Sequence, residues 1–482
     1  MSPFLYLPHL INRAQKGGVN MVFSSTEFLF WFLPCFLVAY FLVPNRLKNG
    51  CMLLFSLFFY ICSVLKNPAY IPLLPLFTLI NFGAALLIEK DEKHKKIWLV
   101  VGLILNFGNL ALFKYVDFIT ENLNSAFSLS LPVLNLALPV GISFYTFQNT
   151  AYIVDVYKKK THAEKNIITF ATHTLMFSHL VSGPIVRYPD ILPELRTKKK
   201  IPWSLFYEGI TTFILGLAYK VIIANRLGGL WTAVGKIGYE SVSTPMMWLG
   251  IIAYSLQLYF DFCGYSLMAV GLGKMTGFTL PENFNLPYIS KSMTEFWRRW
   301  HITLGSWFKD YIYIPLGGNR CGKARTYFNL FVVWMFTALW HGANWNFVLW
   351  GLLLFICISV EKAGLYKVLD RSKIAGHVYM AILIPVQWMI FAIPDLEKLG
   401  TAFGRLVGVG GVNVYAGDFA KYLSQYGIYV FAGLLFATGL PGFFYKKIRT
   451  KWFEYLLLIV TFAYAVYCIF KGMNDPFMYF NF

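Results

Sequence analysis

The chain has 482 residues, of which 57% are hydrophobic, 19% are aromatic and only 13% are charged, and its formal net charge is +19. A soluble protein of this length needs far more charge to cover its surface, so the composition excludes an ordinary soluble enzyme. Lys and Arg lie in short clusters between apolar runs, as the positive-inside rule predicts, so the charge indicates membrane lipid headgroups and no nucleic acid.

Apolar runs recur from end to end and have the length of about 16 to 22 residues that a hydrocarbon core of roughly 30 Å requires. The sequence therefore predicts an all-α, polytopic integral membrane protein. Residues 21–482 are expected to form a single membrane domain, and residues 1–20 an N-terminal extension. The predicted spans are residues 28–43, 51–65, 70–88, 97–113, 131–156, 206–224, 246–273, 345–360, 378–393, 426–444 and 452–470.

Two lysine triplets, residues 158–160 and 198–200, flank another apolar run that contains His179 and the dipeptide Gly183-Pro184. If both triplets are cytoplasmic, this run cannot cross the membrane once. We expect it to enter and return, with the Gly-Pro break at the turn. Non-helical backbone at that depth must be lined by protein or by water. His179 is predicted to line such a cavity, and packing in the core is the alternative.

A helix with a capping box is predicted to start where the chain becomes more polar. Ser292 and Glu295 have the spacing of such a box, in which each side chain bonds a backbone N–H at the helix start. The helix is predicted to carry Trp297 and to end at His301. It is too polar to cross lipid, so we place it at the cytoplasmic face or in a re-entrant bend.

His341 follows a buried apolar helix, residues 327–339, and precedes a glycine. Desolvation disfavours the protonated imidazole, so a buried His341 stays available as a base near neutral pH. Taking a proton from an attacking hydroxyl is a suitable task for it. A core histidine that donates to a backbone carbonyl is the alternative. Trp340 and Asn344 beside it are predicted to line the same interior.

His301 is predicted either to anchor an interfacial helix or to orient and polarise the carbonyl of an acyl donor. In the second case the neighbouring basic residues face the phosphates of that donor: Arg298, Arg299, Lys309, Arg320, Lys323 and Arg325. The chain has no P-loop, G-x-S-x-G, H-E-x-x-H or C-x-x-C motif. No ATP-driven transport, esterase elbow or metal site is therefore predicted.

Asp261 lies within an apolar run and needs a partner, a water-filled cavity or a proton. The nearest candidate partners in sequence are Tyr259 and Tyr265. We expect Asp261 to steady a pair of helices through one of them. Asp261 and Tyr265 are thus predicted as structural or tunnel-lining residues.

Several motifs together resemble the membrane-bound O-acyltransferase (MBOAT) family, and within it the branch of alginate O-acetyltransferase membrane subunits. They include L-P-V-G-I-S-F-Y-T-F-Q, F-S-H-L-V-S-G-P-I, E-F-W-R-R-W-H-I-T-L, Y-I-P-L-G-G-N-R and L-W-H-G-A. The resemblance implies about eleven transmembrane helices plus re-entrant segments around a central tunnel. It also implies that His341 is the catalytic residue and His301 the second family histidine.

The resemblance implies transfer of an acyl group, acetyl above all, from cytoplasmic acetyl-CoA to a polysaccharide outside the membrane. No bound cofactor is expected. The expected location is the bacterial cytoplasmic membrane, and the expected partner is a separately encoded, secreted, esterase-like protein of the SGNH type. One alternative is D-alanyl transfer from a carrier protein to teichoic acid. Another is a transporter or flippase without a covalent step, although the chain shows no repeated halves.

Overall fold

A computed structural model describes residues 21–197, 200–448, 450–472 and 478, so the predicted extension, residues 1–20, lies outside the described residues. The regular secondary structure of the described part is helical, apart from an isolated antiparallel bridge between Phe284 and Trp300. Its α-helices are α1 (Leu33–Leu42), α2 (Lys48–Val64), α3 (Leu73–Lys90), α4 (Lys95–Lys114), α5 (Val116–Phe127), α6 (Ile142–Tyr157), α7 (Ile167–Leu175), α8 (Phe177–Leu180), α9 (Tyr188–Arg196), α10 (Trp203–Ala218), α11 (Asn225–Ile237), α12 (Thr244–Met275), α13 (Met293–Arg299), α14 (Ile302–Phe308), α15 (Lys323–His341), α16 (Trp345–Val360), α17 (Tyr366–Arg371), α18 (Lys373–Ala392), α19 (Leu396–Leu406), α20 (Asp418–Ala437), α21 (Leu440–Ile448) and α22 (Lys451–Phe470).

Within the described residues, eight helices are long and apolar enough to cross a membrane, and Phe28–Leu42 is a shorter apolar helix. The chain is therefore a multi-pass membrane protein, as its composition predicts. The count of about eleven spans stays a prediction. The eight helices are Asn45–Val64, Pro68–Lys90, Lys95–Lys114, Trp203–Ile237, Thr244–Met275, Trp345–Arg371, Lys373–Ala392 and Lys451–Phe470.

Three predicted spans have wrong bounds. The run from residue 131 is helical only from Ile142, because Gly141 adopts a positive φ of 75° immediately before it. The span predicted to end at residue 224 continues through a π-helical turn, Tyr219–Ala224, into α11. The span predicted over 426–444 starts earlier, at Asp418, and its helix ends at Ala437. Gly439, with a φ of 75°, follows that end, as is common at helix C-termini.

The chain folds into two compact units. The first comprises the chain up to Phe213 together with Tyr265–Pro281, and the second comprises Ile214–Gly264 together with Glu282–Phe482. The single membrane domain expected over residues 21–482 stays a prediction. Both histidines of the predicted site, His301 and His341, belong to the second unit.

In the first unit, the charged loops between helices lie together. Lys159 Nζ is 2.7 Å from a carboxylate oxygen of Glu92, and His162 Nδ1 is 2.7 Å from Glu89. Loops that follow α3 and α6 therefore share one side of this unit. The positive-inside rule predicts that this side is cytoplasmic.

The segment between the lysine triplets returns to the side from which it starts. Glu164, just before α7, accepts a hydrogen bond from Arg196 at the end of α9, at 2.8 Å. The helical path is broken over residues 181–187. At Gly183 a Cβ would lie 2.4 Å from the Cα of His179, so only glycine fits this turn. The predicted Gly-Pro break is confirmed.

Candidate functional site

His341 is the last residue of α15 and is enclosed by aromatic rings. Its imidazole centroid lies 4.8 Å from the ring of Trp340, 5.1 Å from Trp350 and 5.2 Å from Phe391, each at a steep angle. The side chain is buried, with only 2% of its surface exposed. The surrounding rings keep bulk water away from this imidazole.

Small residues allow the helices around His341 to approach this closely. A Cβ on Gly342 would lie 2.1 Å from the ring of Phe347, and one on Gly351 would lie 2.6 Å from the Cβ of Ala338. Both sites therefore need glycine at the α15–α16 crossing, as is common where membrane helices pack. The L-W-H-G motif thus contains its glycine for a steric reason.

Asn346 is a residue of this site that sequence reasoning missed. Its amide donates to the carbonyls of Ile390 and Phe391, at 3.1 and 2.9 Å, and it is fully buried. These two carbonyls are near the end of α18, so Asn346 holds that end against α16. Phe391 is thereby kept against the imidazole of His341. The only hint in the sequence was an amide within an apolar run.

His301 lies between two short helices and not at the end of one, which corrects the prediction. The predicted N-cap is confirmed, because Ser292 Oγ accepts the N–H of Glu295 at 3.0 Å. The Glu295 carboxylate accepts the N–H of Lys291, one residue before the N-cap, at 3.0 Å. However, α13 ends at Arg299, and His301 has a left-handed φ of 44° before α14 begins. A non-glycine residue in this region is uncommon and costs energy, and such residues are frequent at functional sites.

The side chain of His301 is buried in the second unit. Its Nδ1 lies 3.2 Å from Oδ1 of Asn283, and its ring meets Phe262 edge-on at 4.7 Å. Its Nε2 is buried and has no hydrogen-bond partner among the residues that the structure describes. His301 lies outside the eight candidate spans, and burial lowers its pKa to about 3. It is therefore neutral at physiological pH.

Trp340 brings the two predicted histidines together. Its indole centroid lies 6.0 Å from the imidazole of His301 and 4.8 Å from that of His341. One side chain thus contacts both rings, although the histidines are far apart in sequence. We call these three residues, with Asn283, the histidine site.

Glu361 holds the helix that precedes His301, and sequence reasoning missed this residue. This buried carboxylate, from the π-helical turn Glu361–Leu365 after α16, accepts the N–H of Met293 at 2.6 Å and that of Thr294 at 2.8 Å. It also accepts the hydroxyl of Thr294 at 2.5 Å. Three hydrogen bonds to a charged acceptor therefore join α13 to the α16 region.

We expect Glu361→Gln to destabilise the protein and to lower acyl transfer by about tenfold in the molecules that remain folded. The amide presents hydrogens to donors, so bonds worth about 1.5 to 3 kcal/mol each are weakened. A shift of α13 then moves His301, and misplacement by about 1 Å costs up to 10²-fold in rate. Activity per folded molecule, counted after size-exclusion chromatography in detergent, is the measurement.

Asp418→Asn is the matched control for this prediction. Asp418 is also buried and accepts three hydrogen bonds: from the N–H and the hydroxyl of Ser243 and from the N–H of Phe419. None of these donors belongs to the histidine site. We expect a similar loss of stability with unchanged activity per folded molecule. Equal activity of the two folded variants would contradict the role of Glu361.

The predicted basic cluster is exposed, with one exception. Arg299 is bound by Glu295, at 3.0 Å from Nε, and by the carbonyl of Asn285 at 3.1 Å, so it supports the fold of the segment. Lys309 lies 3.9 Å from Asp310 in an exposed pair of little strength. The exposed cations that have no carboxylate partner within the described residues are Arg298, Arg320, Lys323 and Arg325. Lys362, which the sequence analysis passed over, reaches Oδ1 of Asn319 in the same region, at 3.2 Å.

The partner of Asp261 in the structure is Lys220, and sequence reasoning considered only tyrosines. The two side chains form an ion pair, in which Asp261 is 2% exposed and Lys220 is 3% exposed. The other carboxylate oxygen of Asp261 accepts the N–H of Met478 at 2.9 Å. A Cβ on Gly264 would lie 2.6 Å from the carbonyl of Gly216, so the two helices touch where the pair forms.

The remaining predicted residues take other places. Tyr265 and His179 belong to the first unit, where Tyr265 stacks on Phe23 at 4.5 Å and His179 Nε2 lies 2.7 Å from the carbonyl of His173. A backbone carbonyl only accepts, so this nitrogen of His179 is the donor.

Asn344 precedes α16 as its N-cap, and its side chain makes no capping bond. Within the described residues, no group of three or more potential metal ligands comes together.

Comparison with known proteins extends these observations. Residues 160–393 match the membrane-bound O-acyltransferase family, and this range contains both histidines and Asn283. A probable alginate O-acetylase from Pseudomonas aeruginosa is 38% identical over 444 residues, which cover 89% of this chain and 84% of that protein. A peptidoglycan O-acetyltransferase from Helicobacter pylori is 33% identical over 82% of this chain and 81% of its own length. A teichoic acid D-alanyltransferase from Bacillus subtilis is 30% identical over 54% of this chain and 69% of its own length.

Proposed function

Because the chain belongs to the membrane-bound O-acyltransferase family, we propose that it transfers acetyl groups from cytoplasmic acetyl-CoA towards hydroxyl groups of a cell-envelope polysaccharide. It is an O-acyltransferase and a multi-pass membrane protein. One observation carries the proposal: the indole of Trp340 contacts two buried imidazoles in an apolar interior. Such an interior suits proton transfer during attack of a hydroxyl on an acyl group.

The extent of the similarity supports acetyl as the group transferred. The alginate and peptidoglycan acetylating relatives match 89% and 82% of this chain, whereas the D-alanyltransferase of Bacillus subtilis matches 54%. The same relatives support an alginate-like, peptidoglycan or other cell-envelope glycan as the acceptor in this proposal. Teichoic acid D-alanylation is the alternative, and the choice of acyl donor distinguishes it from acetyl transfer.

His341 acts as the general base in this proposal. It takes the proton of the attacking hydroxyl, whose oxygen bonds to the carbonyl carbon of the thioester. The C–S bond then breaks, and the imidazolium returns the proton to the leaving thiolate. Ester and CoA thiol are the products, so no further proton or oxidant is required. The imidazole of His301 contacts the same Trp340 indole as His341, so it lies beside the reacting groups in this proposal.

The exposed cations are proposed to hold the acyl donor. Arg298, Arg320, Lys323 and Arg325 are not engaged by carboxylates in the described part of the chain, so they remain available to the phosphates of CoA. Arg299 is not included, because Glu295 and Asn285 hold it. The donor would then approach from the cytoplasmic side of the bacterial inner membrane. A separately encoded secreted protein of the esterase-like SGNH type would pass the acyl group to the polysaccharide.

Purified protein in proteoliposomes, supplied with acetyl-CoA labelled in the acetyl group, tests this proposal. We expect release of CoA thiol together with transfer of the label to the hydroxyl groups of an added alginate or peptidoglycan oligosaccharide, above the level of empty liposomes. A D-alanyl carrier protein should not be deacylated under the same conditions. Deacylation of the carrier alone would favour the D-alanyl alternative. Uptake of solute with the thioester intact would indicate a transporter.

A further inference from the structure

The side-chain oxygen of Asn283 can be identified from its neighbours. The backbone N–H of Thr303 points to this atom at 3.2 Å, and the hydroxyl of Thr303 lies 2.7 Å from it. A backbone N–H can only donate, so its partner must be an acceptor. Of the two ends of a carboxamide, only the oxygen accepts. The assignment therefore does not depend on the choice of amide orientation.

The same oxygen decides which nitrogen of His301 carries the hydrogen. Nδ1 of His301 lies 3.2 Å from Oδ1 of Asn283. The oxygen has no hydrogen to donate, so Nδ1 must be the donor. In a neutral imidazole only one nitrogen is protonated, and Nε2 is then an acceptor with a free lone pair. Nε2 is buried and makes no hydrogen bond within the described residues.

We propose that Asn283 is a positioning residue that holds His301 in the tautomer protonated at Nδ1, so that Nε2 accepts a hydrogen bond from a second hydroxyl of the acceptor, beside the hydroxyl that His341 deprotonates. This inference rests on the proposed function and deepens it. A carbonyl of an acyl donor accepts hydrogen bonds and cannot pair with an unprotonated Nε2. The geometry thus assigns His301 to the hydroxyl-bearing acceptor and not, as its sequence context suggested, to polarisation of the thioester.

The backbone supports this role of Asn283. The carbonyl of Asn283 accepts the N–H of Ile302 at 3.0 Å, and the N–H of Asn285 donates to the carbonyl of Arg299 at 2.9 Å. The chain on both sides of His301 is therefore bound to residues 283–285. These bonds hold His301 in its left-handed conformation and keep the imidazole against the Asn283 amide.

The elements packed around His301 carry several other titratable groups. Phe262 of α12 and Trp340 of α15 touch the ring, and Asn283 bonds it. Burial is the sole cause that lowers the pKa of His301, so none of the charged groups near these elements shifts it appreciably. The titratable groups within two positions of these three contact residues are Asp261, Cys263, Glu282 and His341, and those on the preceding helix α13 are Glu295, Arg298 and Arg299.

The variant Asn283→Asp tests the tautomer through a pH profile. A carboxylate keeps an acceptor for Nδ1–H and for Thr303, but its charge favours the imidazolium and raises the pKa of His301. Below the raised pKa, Nε2 is protonated and no longer accepts. We expect activity within about threefold of the wild type at pH 9 and a fall of more than tenfold towards pH 5.5. The wild type should lack this His301-dependent fall, because its His301 stays neutral throughout.

The variant Asn283→Leu removes the acceptor, and we expect CoA release to fall about 10- to 100-fold at every pH. Thr303→Val is the matched control, since it removes a bond to the same oxygen without touching the imidazole. We expect it to keep activity within about threefold and to leave the pH profile unchanged. In the His301→Ala background, Asn283→Leu should cause no further loss, because its effect passes through His301.

Three outcomes would overturn the inference. One is a pH profile of Asn283→Asp that matches the wild type. Another is full activity of Asn283→Leu. The third is a double variant, Asn283→Leu with His301→Ala, whose activity falls by the product of the two single losses. If His301→Ala itself retained wild-type activity, the proposed function of the histidine site would fail together with this inference. An inactive His301→Ala with a fully active Asn283→Leu would remove the inference alone.

Discussion

His341→Phe is expected to abolish nearly all acyl transfer, with a loss of about 10²- to 10⁴-fold in the release of CoA from acetyl-CoA. The rings of Trp340, Trp350 and Phe391 surround His341. We therefore expect the pocket to accommodate a phenyl ring, which adds no polar group of its own. The variant therefore removes the proton acceptor while it preserves the packing. Steady-state rates in proteoliposomes are the measurement.

The control for this variant is His162→Phe. His162 is an exposed loop residue of the first unit, where it pairs with Glu89, and its replacement should leave the rate unchanged. Thermal unfolding in detergent should show both variants within about 1 kcal/mol of the wild type, as for other shape-conserving changes. If His341→Phe kept more than a tenth of the activity, His341 could not be the general base.

Neutralising one member of the Lys220–Asp261 pair is expected to destabilise the second unit by about 3 to 5 kcal/mol. The two side chains are almost completely buried, so either Lys220→Met or Asp261→Asn leaves an uncompensated charge in an apolar interior. In Asp261→Asn, the neutral amide is also a weaker acceptor than the carboxylate for the N–H of Met478. Unfolding by denaturant in mixed micelles measures the loss.

The double variant Lys220→Met with Asp261→Leu should recover most of this stability. Replacing both charges with apolar groups avoids the desolvation cost, so the single losses should not add. The partly exposed pair of Lys274 and Glu208 is the control, and Lys274→Met should cost less than about 1 kcal/mol. Additive losses at Lys220 and Asp261 would show that the pair is not buried as a unit.

Much of the fold could be read from local sequence, because a membrane helix satisfies its backbone polar groups internally and needs only a long apolar run. The helices α2, α16 and α22 start and end within a few residues of the predicted spans. Capping is equally local, and the predicted N-cap bond from Glu295 N–H to Ser292 Oγ forms. The predicted bounds were wrong where a π-helical turn continues the helix beyond α10, and where the chain before α6 is not helical up to Gly141.

The sequence by itself thus determined a helical multi-pass protein, the break at Gly183-Pro184 and two histidines that stand out from an apolar chain. The tertiary structure alone decided what surrounds those histidines, since the partners come from other helices. Sequence reasoning could not assign roles to Asn283, Glu361 and Lys220, because each bonds a residue at least 18 positions away. Hydrogen bonds depend on direction as well as proximity, and only the folded chain brings a single carboxamide oxygen to the nitrogen whose protonation it controls.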